Sequence, residues 1–126
     1  MPTLQEHLNK AKHNENYYNS FNIDNTPYLD WVVNGIFYSA VHYLDAYLAT
    51  RTIHPSKHVE RIRYINQDRN LGRHFYVTTY RPLEQHSRAG RYDMIVFTSI
   101  EVRHDIIPLL SGMKQHLQQY CHLQIP

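Results

Sequence analysis

Apolar residues recur at steps of three and four along most of the chain, which is the period of an amphipathic α-helix. The strongest run predicts a long helix over residues 27–49, with an apolar stripe wide enough to bury much of its surface. Thr26 and Pro27 are expected to be its N-cap and first helical residue. The stripe consists of Leu29, Val32, Val33, Ile36, Phe37, Ala40, Val41, Tyr43, Leu44, Tyr47 and Leu48. We therefore expect this helix to be central and largely buried.

The same periodicity predicts four further helices, over residues 3–18, about 57–68, about 73–90 and about 98–121. Ser56 is placed to cap the third helix, and Gly72 to stop it. Thr98 and Glu101 have the spacing of a capping box at the start of the last helix. Pro108 is expected to kink that helix, because proline removes a backbone donor.

One short apolar stretch, "MIVF" (94–97), has the composition of a strand. We interpret it as a lead-in to the last helix, because no partner strand is evident. The chain has no internal repeat, no low-complexity tract and no linker, so residues 1–126 are expected to form a single domain. The predicted fold is an all-α antiparallel bundle of four to five helices.

Composition excludes several classes of protein. No apolar run approaches the roughly 18 residues of a membrane span, and the N-terminal stretch lacks the apolar centre of a signal peptide. Cys121 is the only cysteine, which excludes an internal disulfide and a cysteine-based zinc cluster. His54 and His58 are separated by a helix-breaking proline, and no carboxylate completes a metal site. We expect a reduced, cytoplasmic setting, with no metal and no cofactor.

Charge is distributed unevenly along the chain. Residues 1–50 hold two lysines against five carboxylates, a net charge of −3. Residues 51–91 hold one lysine and eight arginines against three carboxylates, a net charge of +6. Arginine-rich segments favour phosphate, because the guanidinium group can bond it in a bidentate manner. The alternative interpretation is a set of solvated helix faces.

The stretch "HPSKHVER" (54–61) places cations where a helix is expected to begin. A helix N-terminus is already partly positive, so cations there are disfavoured unless an anion compensates. We therefore expect a phosphate group at the start of the third helix, bound by Ser56, His58 and Arg61.

An antiparallel order of sequential helices would bring several charged groups to one pole of the bundle. The groups expected there are His42, Asp45, His58, Arg61, Arg88 and Arg91. They would combine acid–base histidines with anion-binding arginines. His42 has an alternative interpretation as a core histidine that is hydrogen-bonded to Asp45 or to a backbone carbonyl.

Three blocks of this sequence resemble the HEPN (higher eukaryotes and prokaryotes nucleotide-binding) family, in the same order. They are "FYSAVHYLDAYLA" (37–49), "HPSKHVER" (54–61) and "YRPLEQHSRAGRY" (80–92). The resemblance implies a dimeric helical bundle. Many members are metal-independent ribonucleases, often toxins or phage-defence effectors, and others are non-catalytic binding modules. Catalytic members use an arginine followed by a histidine, often as Arg-Asn-x-x-x-His.

The resemblance implies two candidate catalytic sets. The first consists of His58, Arg61 and His42, with Ser56, Arg88 and Arg91 binding phosphate. The second consists of Arg69, Asn70 and His74, which fit the family motif best. The histidine would act on the ribose 2′-hydroxyl or the leaving group, and the arginine on the phosphate charge. The implied function is RNA cleavage or binding of RNA or nucleotide phosphate.

A second function of a different class stays open. A non-catalytic HEPN dimer would bind a nucleotide, or a protein partner such as a nucleotidyltransferase or an antitoxin. A homodimer is expected in either case, because the central helix is apolar on both sides.

Overall fold

The computed structural model describes all 126 residues and contains five helices and no strand. Helices α1, α2 and α3 span Leu4–Asn19, Leu29–Thr50 and His58–Gln67. Helix α4 (residues 72–92) joins Gly72–Phe75, Tyr76–Tyr80 and Arg81–Tyr92, and helix α5 (residues 99–120) joins Ser99–Glu101, Val102–Ile106 and Ile107–Tyr120. The predicted all-α class is confirmed. None of the helices combines the length and the apolar character needed to cross a bilayer.

Helix α2 forms the centre of the core, as its apolar pattern predicts. Fifteen of its residues are buried, and α1, α4 and α5 pack around it. The capping box of Thr98 and Glu101 is present at the start of α5. The predicted start of α2 is wrong, because Tyr28 flanks the helix and Thr26 Oγ1 instead accepts the backbone N–H of Tyr28. Gly72 begins α4, with φ at +81°, rather than ending α3.

Two prolines lie inside helices without breaking them. Pro82 and Pro108 each follow a widened π-helical turn by two residues. In these turns the residue before proline donates to a carbonyl five residues back, Arg81 to Tyr76 and Ile107 to Val102. A proline lacks the donor of the usual four-residue bond, and a π turn absorbs that loss within the helix. The disturbance expected at Pro108 therefore takes this form.

The connection between α2 and α3 overturns part of the expected order. Thr52 adopts a left-handed conformation (φ 61°), and the chain turns back so that Ile53 N–H donates to Leu48 O. His58, at the start of α3, then lies against Phe37, with ring centroids 5.6 Å apart. Asp68, after α3, accepts a hydrogen bond from Tyr47 near the end of α2. Helix α3 thus runs in the same direction as α2, and the prediction of opposite directions is wrong at this pair.

A buried polar cluster ties α1 to the bundle. Glu15 on α1 accepts a hydrogen bond from Tyr43 on α2, and its Oε1 lies 3.0 Å from Lys114 Nζ on α5. Burial and this carboxylate raise the pKa of Tyr43. Because Glu15 has partners on two other helices, it fixes the position of α1 along α2.

The close approach of α1 and α2 depends on Gly35. A Cβ atom built there would lie 2.9 Å from Tyr18 Cβ, a position that no rotamer change relieves. We expect Gly35→Ala to lower the free energy of unfolding, because overpacking costs about 1–3 kcal/mol. Gly112→Ala is the matched control, since nothing lies within 4 Å of its added Cβ in α5. Gly112→Ala should stabilise the protein by about 0.5–1 kcal/mol. Urea unfolding measures both changes, and a Gly35→Ala variant as stable as Gly112→Ala would contradict the packing.

Candidate functional site

The centre of the candidate site is a buried ion pair between α3 and α2. Arg61 Nε lies 2.8 Å from Asp45 Oδ1, and Arg61 Nη2 lies 2.9 Å from Asp45 Oδ2. The two side chains are only 7% and 6% exposed. Burial opposes the charge of Arg61, but hydrogen bonds and attraction from Asp45 outweigh it and raise its pKa. Arg61 therefore stays charged, with two of its donors committed to the carboxylate.

His58 lies beside this pair and is partly open to solvent. Its Nδ1 is 2.9 Å from Tyr80 Oη, 3.2 Å from Arg61 Nη1 and 4.0 Å from Glu84 Oε2. Its side chain is 40% exposed. Burial and the charge of Arg61 lower the pKa of His58, although Glu84 opposes them. His58 is thus neutral at pH 7, and its ring is reachable by a ligand.

The protein supplies its own anion at the start of α3. Ser56 does not cap the helix, because Lys57 is the flanking residue. The carboxylate of Glu60 instead accepts the backbone N–H of Ser56 at 3.2 Å, and lies 3.5 Å from Ser56 Oγ. A first-turn carboxylate offsets the positive helix end. The predicted role of Ser56 as the cap is wrong, and Glu60 supplies a negative charge at the helix start, where the sequence suggested a phosphate.

Two other arginines face the same region from the end of α4. The charges of Arg91 and Arg88 both lower the pKa of His58. Arg88 is exposed, and Arg91 Nη1 donates to Tyr38 Oη at 3.0 Å. Neither guanidinium is paired with a carboxylate. These two side chains, rather than Arg61, are the cations with donors free for a ligand.

His42 faces α1 rather than Asp45. Its Nδ1 lies 3.1 Å from Nδ1 of His7, which is buried on α1. One of the two nitrogens must be unprotonated to accept the hydrogen bond, so the pair cannot be doubly charged in this geometry. Burial is the largest effect on both histidines and lowers the pKa of each. For His42, the charge of the nearby His7 lowers the pKa further. His42 is hydrogen-bonded, as its alternative interpretation expected, but its partner is His7 and its side chain is only partly buried.

The His7–His42 pair predicts a loss of stability in mild acid. In the folded protein both pKa values lie below the usual 6.5. The unfolded chain therefore takes up protons first as the pH falls below about 6.5, and unfolding becomes easier until the folded pKa values are passed. We expect the free energy of unfolding to be lower at pH 5.5 than at pH 7.5, and the difference to shrink in His42→Gln. An identical difference in wild type and His42→Gln, by urea unfolding, would contradict this role.

The alternative set lies at the other end of α3. Asn70 Nδ2 donates to Tyr47 Oη at 3.3 Å, and Asn70 O lies 2.7 Å from His116 Nε2. Arg69 and His74 are exposed, and neither side chain makes a hydrogen bond or ion pair within the chain. Asn70 thus has a structural role in the loop before α4. The structure does not hold Arg69 and His74 around a common point.

Several residues of the site were not predicted from the sequence. His7, Tyr80 and Glu84 contact His42 or His58. His7 shares a helix face with Ala11, a spacing that marks it as inward-facing. Tyr80 ends the π turn before Pro82, and such turns often accompany functional sites. No group of three or more potential metal ligands comes together in the chain.

No known family model matches this chain, and no curated protein or solved structure is significantly similar to it. The resemblance to the HEPN family therefore stays a prediction.

Proposed function

We propose that this chain is a HEPN-like RNA-binding protein with metal-independent endoribonuclease activity centred on His58. The observation that carries the proposal is the charge around that ring. His58 is half-exposed, and the charges of Arg61, Arg88 and Arg91 favour its neutral form, while Glu84 opposes them and Asp45 pairs with Arg61. A neutral histidine in a cationic surface combines a proton acceptor with attraction for phosphate.

The proposed residues divide the work of cleavage. Arg88 and Arg91 bind the phosphate, because their guanidinium donors have no carboxylate partner. When Nδ1 of His58 donates to Tyr80 Oη, its Nε2 is free to accept the proton of a ribose 2′-hydroxyl. The deprotonated oxygen attacks the adjacent phosphorus and forms a 2′,3′-cyclic phosphate, while the bond from phosphorus to the 5′-oxygen of the next nucleotide breaks. That oxygen takes a proton from water to become a 5′-hydroxyl, and His58 then returns its own proton to the solvent. In this tautomer the nearby Arg61 Nη1, 3.2 Å from Nδ1, makes no hydrogen bond to the ring. Arg61, held by Asp45, contributes positive charge beside it.

Incubation with RNA in the presence of EDTA tests the proposal. Wild-type protein is expected to cut total RNA and to leave single-stranded DNA intact, because DNA has no 2′-hydroxyl. A 2′-O-methylated copy of a cleaved RNA serves as the matched control substrate and should also survive. An RNA pool that stays intact under these conditions would overturn the nuclease proposal.

One observation favours the non-catalytic alternative. The arginine nearest to His58 is Arg61, and Asp45 occupies two of its donors, so it is less available to a scissile phosphate. In this alternative the same cationic surface binds a nucleotide or RNA without cutting it. RNA binding with no cleavage by wild type or by His58→Ala would favour that function, which includes pairing with a nucleotidyltransferase or an antitoxin.

A homodimer is part of both proposals. The segment from Met94 to Val96 and the nearby Ile100 expose apolar side chains to solvent, beside Phe97 of the core. Exposed apolar surface of this kind favours association with a second copy. Light scattering at tens of micromolar is expected to give the mass of a dimer, and a monomer would count against this part.

A further inference from the structure

A groove of about 480 Å³ runs between α1 and α2, with Arg91 from the end of α4 at its edge. Its volume falls within the range of about 300–1,000 Å³ that is typical of small-ligand sites. Lys10, His13, His42 and Arg91 line it together with three aromatic side chains, and no carboxylate does. The groove therefore has the charge to bind an anion and exposed rings to bind a planar group.

The aromatic side chains of the groove are exposed to solvent. Trp31 is 53% exposed, Tyr17 is 43% exposed and Tyr38 is 36% exposed. Arg91 lies over the ring of Tyr38, 5.8 Å from its centroid, and donates to Tyr38 Oη. Exposed rings beside cations are the surface that single-stranded nucleic acids use, because every base has a face that can stack.

The two ends of the groove are lined by different residues. The contacts of His7 with His42, and of Gly35 with Asn14 and Tyr17, show that α1 and α2 run antiparallel. Tyr17 and Trp31 therefore lie towards one end, and Lys10 and His42 towards the other. Trp31 and His42 are eleven residues apart on α2, about 16 Å along its axis. This length suits a short strand better than a single base.

Polar groups within the groove complete the surface. Asn34 is nine-tenths buried, and its Oδ1 accepts a hydrogen bond from Ser87 Oγ at 2.7 Å. That bond leaves the Nδ2 group of Asn34 as the donor available to a ligand. Arg91 belongs both to this groove and to the cations that act on His58. Arg91 therefore links the groove to the cations around His58.

We propose that this groove binds a short single-stranded RNA segment, with Trp31 and Tyr17 stacking on bases and Lys10 and Arg91 binding phosphates. The inference rests on the proposed RNA-binding function and adds the site at which the strand is held. A phosphate bound by Arg91 would lie close to the cations that act on His58.

The probe is a single-stranded RNA hexamer with 2′-O-methyl riboses, which cannot be cleaved through a 2′-hydroxyl. Trp31 is the only tryptophan, so its fluorescence reports directly on the groove. We expect the hexamer to quench that fluorescence. A labelled hexamer followed by anisotropy should bind Trp31→Ala about 5- to 150-fold more weakly than wild type, the effect of losing one stacked base.

Tyr120→Ala is the matched control, because Tyr120 is a similarly exposed aromatic on α5, away from the groove. It should bind the hexamer like wild type, and thermal unfolding confirms that both variants fold. Unquenched Trp31 fluorescence, or equal affinities of wild type and Trp31→Ala, would overturn the inference. The inference would also be overturned if light scattering showed that Trp31→Ala changes only the oligomeric state, from dimer to monomer. The groove would then bind a second copy of the chain.

These outcomes separate the groove from the catalytic proposal. If wild type and Trp31→Ala cleave ordinary RNA equally well, the groove proposal fails and the nuclease proposal stands. If hexamer binding depends on Trp31 but ordinary RNA is not cleaved, the groove proposal is supported and the nuclease proposal fails.

Discussion

Asp45→Ala is expected to lower the free energy of unfolding by about 3–5 kcal/mol, because it leaves the charge of Arg61 buried without a partner. Both oxygens of Asp45 accept hydrogen bonds from Arg61, within 2.9 Å. Water cannot replace them efficiently, since both side chains are more than nine-tenths buried. Urea unfolding measures the loss.

The chain contains a matched control for this prediction. Arg103 and Asp24 make the same two-pronged contact, at 3.1 and 2.9 Å, but their side chains are 48% and 66% exposed. Exposed pairs of this kind contribute about 0–1 kcal/mol. Asp24→Ala should therefore cost far less than Asp45→Ala. Equal losses at the two sites would contradict the argument from burial.

A double replacement identifies the origin of the loss. If an unpaired buried charge is the cause, Asp45→Leu combined with Arg61→Met should be much more stable than Asp45→Leu alone, since neither charge remains. A double variant as unstable as Asp45→Leu alone would instead assign the loss to packing. Arg61 also contacts His58, so the double variant should lose cleavage even where it regains stability.

His58→Ala is expected to reduce the rate of RNA cleavage by about 10²- to 10⁴-fold, the usual contribution of a general acid–base group. Tyr80→Phe keeps the ring that packs on Phe37 and removes only the hydroxyl that contacts His58, so its effect should be smaller. His74→Ala is the control, because His74 is exposed and belongs to the alternative set. It should cleave like wild type.

The opposite pattern of activity in these variants would place the catalytic site at the other end of α3. If His74→Ala loses activity and His58→Ala keeps it, the catalytic pair is Arg69 and His74, despite the absence of side-chain contacts that hold them. Thermal unfolding of each variant separates a loss of chemistry from a loss of fold. His58 is partly exposed, so its truncation should leave the fold intact.

The helices could be predicted from the sequence because their signals are local. The spacing of apolar residues identified α2 as the centre, and the Thr98–Glu101 spacing identified the start of α5. Caps were less predictable, because a serine or threonine caps only if the helix begins beside it. At Ser56 the helix begins two residues later, and Glu60 provides the compensating charge.

The site was predictable only in part, since its contacts join distant segments. Asp45, His58 and Arg61 were expected together, and they are together, although the loop before α3 turns back along α2 to bring them there. The pairing of His7 with His42 depends on how α1 docks, which no local spacing encodes. The same holds for the groove, whose cations and rings come from α1, α2 and α4.

The most direct measurement of the central claim is the chemistry of the RNA ends after cleavage. A defined RNA is incubated with the protein in the presence of EDTA, and the masses of the products are measured by mass spectrometry. Attack by the 2′-hydroxyl, assisted by His58, predicts a 2′,3′-cyclic phosphate on one fragment and a 5′-hydroxyl on the other, formed by wild type and not by His58→Ala. Intact RNA, or fragments with 5′-phosphates that form only when a divalent metal is added, would contradict it.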